Sequence, residues 1–416
     1  MLRTTTPNKK VQVRSLSKAV EGNKSQKVIP RHRPSNSYGG NSHSERRLEL
    51  VKQSVSGSSQ KPSTRPSSSN TTDRKSKDPQ KKLTLHKKSS SISEKPLSSI
   101  LTSMQNTHKH KLSTDLKKER NYIQRFAHRT NTGFMPGNPN KVNQDSFIIN
   151  TDMNFDTCLF AVADGHGING EYVSGYIKDR YPIILSANPY FLSSPSRAIV
   201  ASAAKLNKEI RAKDFDTNFS GSTFVSVMMR GKKLWCANVG DSRALLGRQL
   251  PEKTGTKGSC NHWMSIALSR DHKPNECDES ARILAKGGRV EAYQDEDGNP
   301  FGPSRVWLKN QNIPGLAMSR SFGDKVASTV GVISEPEILE FELNCDDKFV
   351  VIGSDGVFEF LSNEDVVKLV VPYWRRGDAE GAAELLAKEA KAAWMREEEV
   401  IDDITCVVLF LEVTAS

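Results

Sequence analysis

The chain has 416 residues, enough for one large domain or two ordinary ones, and a formal net charge of +12. That charge is lopsided: residues 1–120 hold 27 Lys and Arg against 8 Asp and Glu, so they carry +19 and the remainder −7. The basic excess therefore belongs to the front of the chain, and a nucleic-acid reading from the isoelectric point alone would be an error. The six cysteines form no CxxC pair, and three sit in apolar runs, which points to reduced, buried thiols and away from a structural zinc site. No run of 18 apolar residues occurs, so no transmembrane segment is expected. The start of the chain lacks a secretory apolar core, which makes the cytoplasm the expected location, with the nucleus as a second.

Residues 1–117 are rich in Ser, Thr, Lys, Pro and Asn and poor in aromatics. Such a segment cannot bury enough apolar surface to offset chain entropy, so a disordered basic tail is expected. Its runs of Lys beside Ser and Thr suit docking partners with acidic surfaces, or kinases.

From residue 118 the texture changes. Strand-length apolar runs rich in β-branched and aromatic residues fall at 145–150 (DSFIIN), 157–164 (TCLFAVAD), 222–229, 233–241, 243–248, 348–356 (KFVVIGSDG) and 404–413. Helical patterns lie between them at 169–186, 195–213, 274–287, 362–370 and 378–395. The fourth opens on Ser362 with Asp365 three residues later, a variant of the capping box. Polar stretches at 251–262 and 293–303 read as surface loops. Strands at hairpin spacing, with helices in separate blocks, predict an α+β fold with antiparallel sheets. Continuously apolar strands such as LFAVA and FVVIG predict burial on both faces, hence stacked sheets with helices outside.

Asp145, Asp164, Asp241, Asp324, Asp355 and Asp402 each lie beside the end of an apolar run or a tight turn. Asp164 and Asp355 share one form, an apolar strand followed by Asp-Gly. A rigid sheet aims such a carboxylate, and the glycine lets backbone approach a ligand. Aspartates with almost no His or Cys suit a hard divalent cation and not zinc. A single Asp-Gly is also a common turn signal, and spacing alone does not bring these residues together.

The runs DSFIIN, FAVADGHG, SGSTFVSVMM, ANVGDSRALLG, LSRDHKP, ARILAKGGRV, RVWL, PGLAMSRSFGD, SEPEI, VIGSDGVFEFLS and DDITCVVL occur in that order. Together they resemble the motif series of the protein phosphatase 2C family, the metal-dependent protein serine/threonine phosphatases, over residues 120–413. The resemblance implies a β-sandwich of two mainly antiparallel sheets flanked by α-helices, within a catalytic domain at 118–414. It implies two Mg²⁺ or Mn²⁺ ions and a weaker third. Asp164 resembles the carboxylate bridging both ions, with the Gly165 carbonyl on one. Asp355 and Asp402 resemble terminal ligands of the other. Asp145 corresponds to the early acid beside the metals, Asp241 to a ligand of the third ion, and Asp324 to a supporting group. His166 resembles the general acid for the leaving oxygen. Phosphoserine and phosphothreonine proteins would be the substrates, in signalling, and the enzyme would be a monomer.

The chain departs from the family where Gln144 precedes Asp145 in place of a glutamate, which costs the site one charge. Asn140 stands where some members carry a phosphate-binding arginine. Lys141 and Arg305 are the alternative phosphate contacts, Lys141 as a point charge without a bidentate fork. These departures keep a second reading open, a pseudophosphatase that binds partners through an impaired centre. A third, nonspecific nucleic-acid binding by the tail, predicts steep salt dependence.

Overall fold

The computed structural model describes residues 122–251 and 262–414. The tail expected over residues 1–117 and the tip of the loop expected at 251–262 lie outside the described residues. The first half of the described chain runs β1 (Ile123–Asn131), β2 (Asp145–Met153), β3 (Thr157–His166), α1 (Gly170–Ser186), α2 (Pro195–Arg211), β4 (Gly221–Ser222), β5 (Phe224–Arg230), β6 (Lys233–Val239), β7 (Arg243–Gln249) and β8 (Trp263–Ala267). The second half runs α3 (Cys277–Ala285), β9 (Gly288–Gln294), β10 (Pro300–Leu308), β11 (Pro314–Leu316), β12 (Phe322–Gly323), α4 (Lys325–Ser328), β13 (Glu337–Glu342), β14 (Asp347–Gly353), α5 (Asp355–Phe358), α6 (Asn363–Trp374), α7 (Ala379–Glu397) and β15 (Ile404–Leu411).

Beside a small sheet of order β11-β10-β9 stand two large ones, one with the order β1-β15-β14-β7-β8 and the other β12-β4-β3-β5-β6-β13 with β2 added on β3. Pairings between neighbours are antiparallel throughout both. Side-chain alternation stacks them. Phe160 and Val162 of β3 meet Leu246, Val350 and Leu409 of the other sheet in the central core. Leu159, Ala161 and Ala163 point the opposite way, onto Val173 and Ile177 of α1 and Leu206 of α2. Likewise Val407 and Leu409 of β15 face inward, while Val408 and Phe410 pack under Val367 of α6 and Leu386 and Ala390 of α7. The result is helix, sheet, sheet, helix, the expected sandwich. Each buried Leu, Val or Phe contributes about 1.5–3 kcal/mol of transfer free energy to that stack.

Ser362 caps α6 by accepting from the Asp365 N–H at 3.2 Å, while its hydroxyl donates to the Asp365 carboxylate at 2.6 Å. The stretch 293–303, expected as a loop, is largely hairpin. β9 and β10 pair antiparallel with Phe301 opposite Tyr293, and only the residues between Gln294 and Pro300 turn. Its Asp, Gly and Pro content masked aromatic cross-strand packing of Tyr293 on Phe301 and Trp307. Asp355 begins the single helical turn of α5, where a tight turn was expected.

Candidate active site

The carboxylates come from strand ends in both sheets. Asp145 opens β2 and stands directly opposite Asp164 of β3 in the antiparallel register. In the other sheet Gly353 of β14 lies opposite Cys406 of β15, so Ser354–Asp355 and Asp402–Asp403 emerge at one edge. Asp241 follows Gly240, whose φ of 105° turns the chain after β6.

Hydrogen bonds join these ends. Ser354 Oγ donates to Asp145 Oδ2 at 3.0 Å and accepts from the Thr405 N–H at 3.1 Å. Asp403 accepts from the N–H groups of Gly133 at 2.7 Å and Gln144 at 2.9 Å, and from the Lys141 ammonium at 2.5 Å. The Gln144 amide in turn donates to the Gly167 carbonyl at 2.8 Å and to Glu171 at 2.9 Å. At Gly165 any Cβ would run into the Gly170 carbonyl, so the backbone of the β3 end and the start of α1 touch only because both positions are glycine.

Burial and mutual repulsion shift these carboxylates in one direction. Burial pushes Asp145 up to about 7; Asp402 and Asp403 add to the shift, while hydrogen bonds from Thr405 and Ser354 oppose it. Burial also holds Asp164 well above the ordinary range, reinforced by Asp145, Asp355 and Asp402. Asp355 is raised by burial, then by Asp402 and Asp241, with Lys273 pulling the other way. Lys273 Nζ donates to Asp241 Oδ2 at 2.6 Å.

His166 has a second acid to itself. Its Nε2–H donates to Asp324 Oδ2 at 2.7 Å, and the Ser321 hydroxyl donates to the same oxygen at 2.6 Å. Burial lowers the imidazole, but the Asp324 charge and hydrogen bond, with Asp241, outweigh it and leave His166 raised. Its Nδ1 is buried without a hydrogen-bond partner.

Sequence reasoning thus named acids that fall together: Asp145, Asp164, Asp355 and Asp402, with Asp241 beside them. The two cations proposed for phosphate lie differently. Lys141 is paired with Asp403, and Arg305, on β10, donates to the Gly315 carbonyl at 2.7 Å and lies over the Tyr293 ring. Ser354, Asp403 and Lys273 were missed as parts of the site. Each had a signal in its place in a quoted motif, Ser354 in VIGSDGVFEFLS, Asp403 in DDITCVVL and Lys273 in LSRDHKP.

A hard divalent cation fits this donor set. The groups are oxygens without thiol or imidazole, and Asp145 Oδ1, Asp241 Oδ1 and Asp355 Oδ1 are buried with no hydrogen-bond partner. Among the described residues, no three acid, His or Cys side chains are already arranged around one ion position. The free oxygens and mutual repulsion carry more weight, because repelling carboxylates stand apart until a cation draws them in.

The sequence model of the protein phosphatase 2C family matches residues 136–398. The chain belongs to the protein phosphatase 2C family. It is 34% identical over 293 residues to "Probable protein phosphatase 2C 35" of Arabidopsis thaliana, covering 67% of this chain and 81% of that one. With "Probable protein phosphatase 2C 72" of the same plant it shares 38% over 271 residues, 62% and 77% of the two chains. In fold it is similar to the solved serine-threonine phosphatase 2C of Toxoplasma gondii, with TM-score 0.59 and 18% identity over 70% of this chain and 97% of that one. A C. elegans sex determining protein matches with TM-score 0.54 and 19% identity, over 70% and 65%. The protein phosphatase 2C match takes in Asp145, Asp164, His166, Asp241, Asp324 and Asp355, and ends just before Asp402.

Proposed function

We propose that the chain hydrolyses phosphoserine and phosphothreonine in proteins, by direct attack of a water on phosphorus at two Mg²⁺ or Mn²⁺ ions. The observation that supports this most is the gathering of buried carboxylates from two sheets, with three oxygens lacking any partner. Asp164, opposite Asp145 in the strand register, would help hold the ions, together with the Gly165 carbonyl. Asp355 and Asp402 would join them, Asp145 would complete the centre, and Asp241 would serve a weaker third ion. Bound there, the ions would lower the pKa of a water and neutralise charge on the phosphoryl oxygens.

The chain's own groups do the rest. Asp403 fixes the approach of residues 133–144 to the site, and Lys273 balances part of its negative charge. His166 keeps Nε2–H on Asp324 and gives a proton from Nδ1 to the departing seryl or threonyl oxygen. Arg305 and Lys141 would steady the phosphoryl group, Lys141 only by exchanging Asp403 for it. Residues 118–414 would form this catalytic domain, and residues 1–117 an arm for acidic docking partners. The enzyme would be a monomer of the cytoplasm or nucleus; among the described residues no helix is long and apolar enough to cross a membrane.

The test is release of phosphate from a phosphoserine peptide with Mn²⁺. Turnover by the wild type, abolished in Asp164→Asn and Asp355→Asn, is expected. An inert wild type would favour the pseudophosphatase reading, which rests on Gln144 giving its amide to Gly167 and Glu171.

A further inference from the structure

The path of hydrogen bonds that ends on His166 begins on α2, at two residues to which no role has been given. Asn207 and Arg211 lie four positions apart, so their side chains share one face of the helix. Both reach the same residue. The Gly323 N–H donates to Asn207 Oδ1 at 2.9 Å, and the Gly323 carbonyl accepts from Arg211 Nε at 3.0 Å and Nη2 at 2.7 Å. Asn207 is buried and Arg211 half-buried, so the Asn207 contact is the better shielded from water.

The residue they grip needs holding. Gly323 has φ of 83° and Asp324 has φ of 38°, two consecutive left-handed residues. Asp324 carries a side chain, and such a conformation persists only where its surroundings impose it. The Ser220 carbonyl steadies it from the other side by accepting the Asp324 N–H at 3.1 Å. What the turn delivers is Oδ2 of Asp324, placed on His166 Nε2 in the space that Gly221 leaves by lacking a Cβ. Helix α2 itself is anchored independently, by Ile199, Ala203, Leu206 and Ile210 in the core. The clamp is therefore not what keeps the helix in place.

We infer that Asn207 and Arg211 are positioning residues for protonation of the leaving group. They hold the Gly323–Asp324 turn so that Asp324 retains the Nε2–H of His166, which leaves Nδ1 as the nitrogen that donates. As the water oxygen bonds to phosphorus it gives up one proton to solvent, and the phosphorus–side-chain oxygen bond breaks with its electron pair staying on that oxygen. The Nδ1 proton moves to it, and His166 is recharged from solvent. This inference rests on the phosphatase reading above.

The test compares kcat on a phosphoserine peptide with kcat on 4-nitrophenyl phosphate, whose leaving group needs no proton, using the full chain with Mn²⁺. Arg211→Met should lower the peptide-to-aryl ratio about tenfold with the peptide KM unchanged, a fraction of what general acid catalysis contributes. Arg211→Lys, which keeps a donor but not the fork, should fall between Met and wild type. The pair Arg211→Met with His166→Ala should lose no more in that ratio than His166→Ala alone. Equal loss on both substrates, or a further fall in the double variant, overturns the inference and leaves the phosphatase reading standing. If Arg211→Met fails to fold, Asn207→Ala and Arg211→Lys carry the same comparison. A wild type inert on both substrates overturns the phosphatase reading and this inference with it. A ratio unmoved by His166→Ala removes the general acid, and the clamp's role falls while phosphatase activity remains.

Discussion

Ser354 Oγ donates to Asp145 Oδ2 at 3.0 Å, and that single bond ties the first strand of one sheet's acidic edge to the β14–β15 edge of the other. Apolar packing between the sheets is non-directional and leaves their tips free to slide by fractions of an ångström. A directional bond at the tips sets the spacing of Asp145 from Asp355 and Asp402. The same hydroxyl accepts from the Thr405 N–H, so it is itself held on two sides.

Ser354→Ala should therefore cost about 1–3 kcal/mol in denaturant unfolding, because the Thr405 N–H is left buried and unsatisfied. Manganese affinity, measured by calorimetry, should fall with it. Unchanged affinity would show that the bond does not set the site.

The raised carboxylates give a pH signature. Asp145, Asp164 and Asp355 bind protons more tightly folded than unfolded, mainly through burial. The Asp145 contribution to stability is fully present below the ordinary carboxylate value near 3.8 and is lost as pH rises through about 7, and Asp164 and Asp355, raised in the same direction, add to the decline with rising pH. Without divalent ions, thermal scans should show stability declining from pH 5 towards roughly 7.5. The decline should be shallower in Asp145→Asn, and Mn²⁺ should flatten it.

Asp403→Asn should unfold more easily by about 3–5 kcal/mol, because it leaves the largely buried Lys141 ammonium without its counter-charge. The loop carrying Gly133 and Gln144 hangs on the same carboxylate, so amide exchange at those two N–H groups should quicken more than in the central strands.

Gly221→Ala puts a Cβ into Asp324 Oδ2. The carboxylate must leave His166, and turnover of phosphoserine peptide should drop to near that of His166→Ala, about a hundredfold below wild type, while 4-nitrophenyl phosphate is affected much less. Equal losses on the two substrates would point to damage beyond the His166 pair.

The parts legible in the sequence were those where one requirement dominated. β15 and the LFAVA centre of β3 are apolar on nearly every residue and buried throughout because both faces are covered, and they stand where the runs indicated. β1 escaped notice because it is an edge strand, exposed at most of its positions, recognisable only through its pairing with β15. β13, with sequence EILEFE, escaped for the same reason. In the site, Asp164 and Asp355 stood out because a strand end followed by glycine is a local pattern, while Asp145, Asp241 and Asp402 were given roles through the family motif series. The bond from Ser354 to Asp145 spans 209 residues and the hold of Asp403 on Gly133 spans 270, and no local pattern encodes either. Lys141 looked free as a sequence neighbour of Asn140; only the fold sets Asp403 against it.

Anomalous diffraction from crystals grown with Mn²⁺ tests the central claim most directly. Two manganese peaks are predicted among Asp145, Asp164, Asp355 and Asp402, with Asp164 touching both and both lost in Asp164→Asn. Manganese bound elsewhere, or none at these carboxylates at saturating concentration, would contradict it.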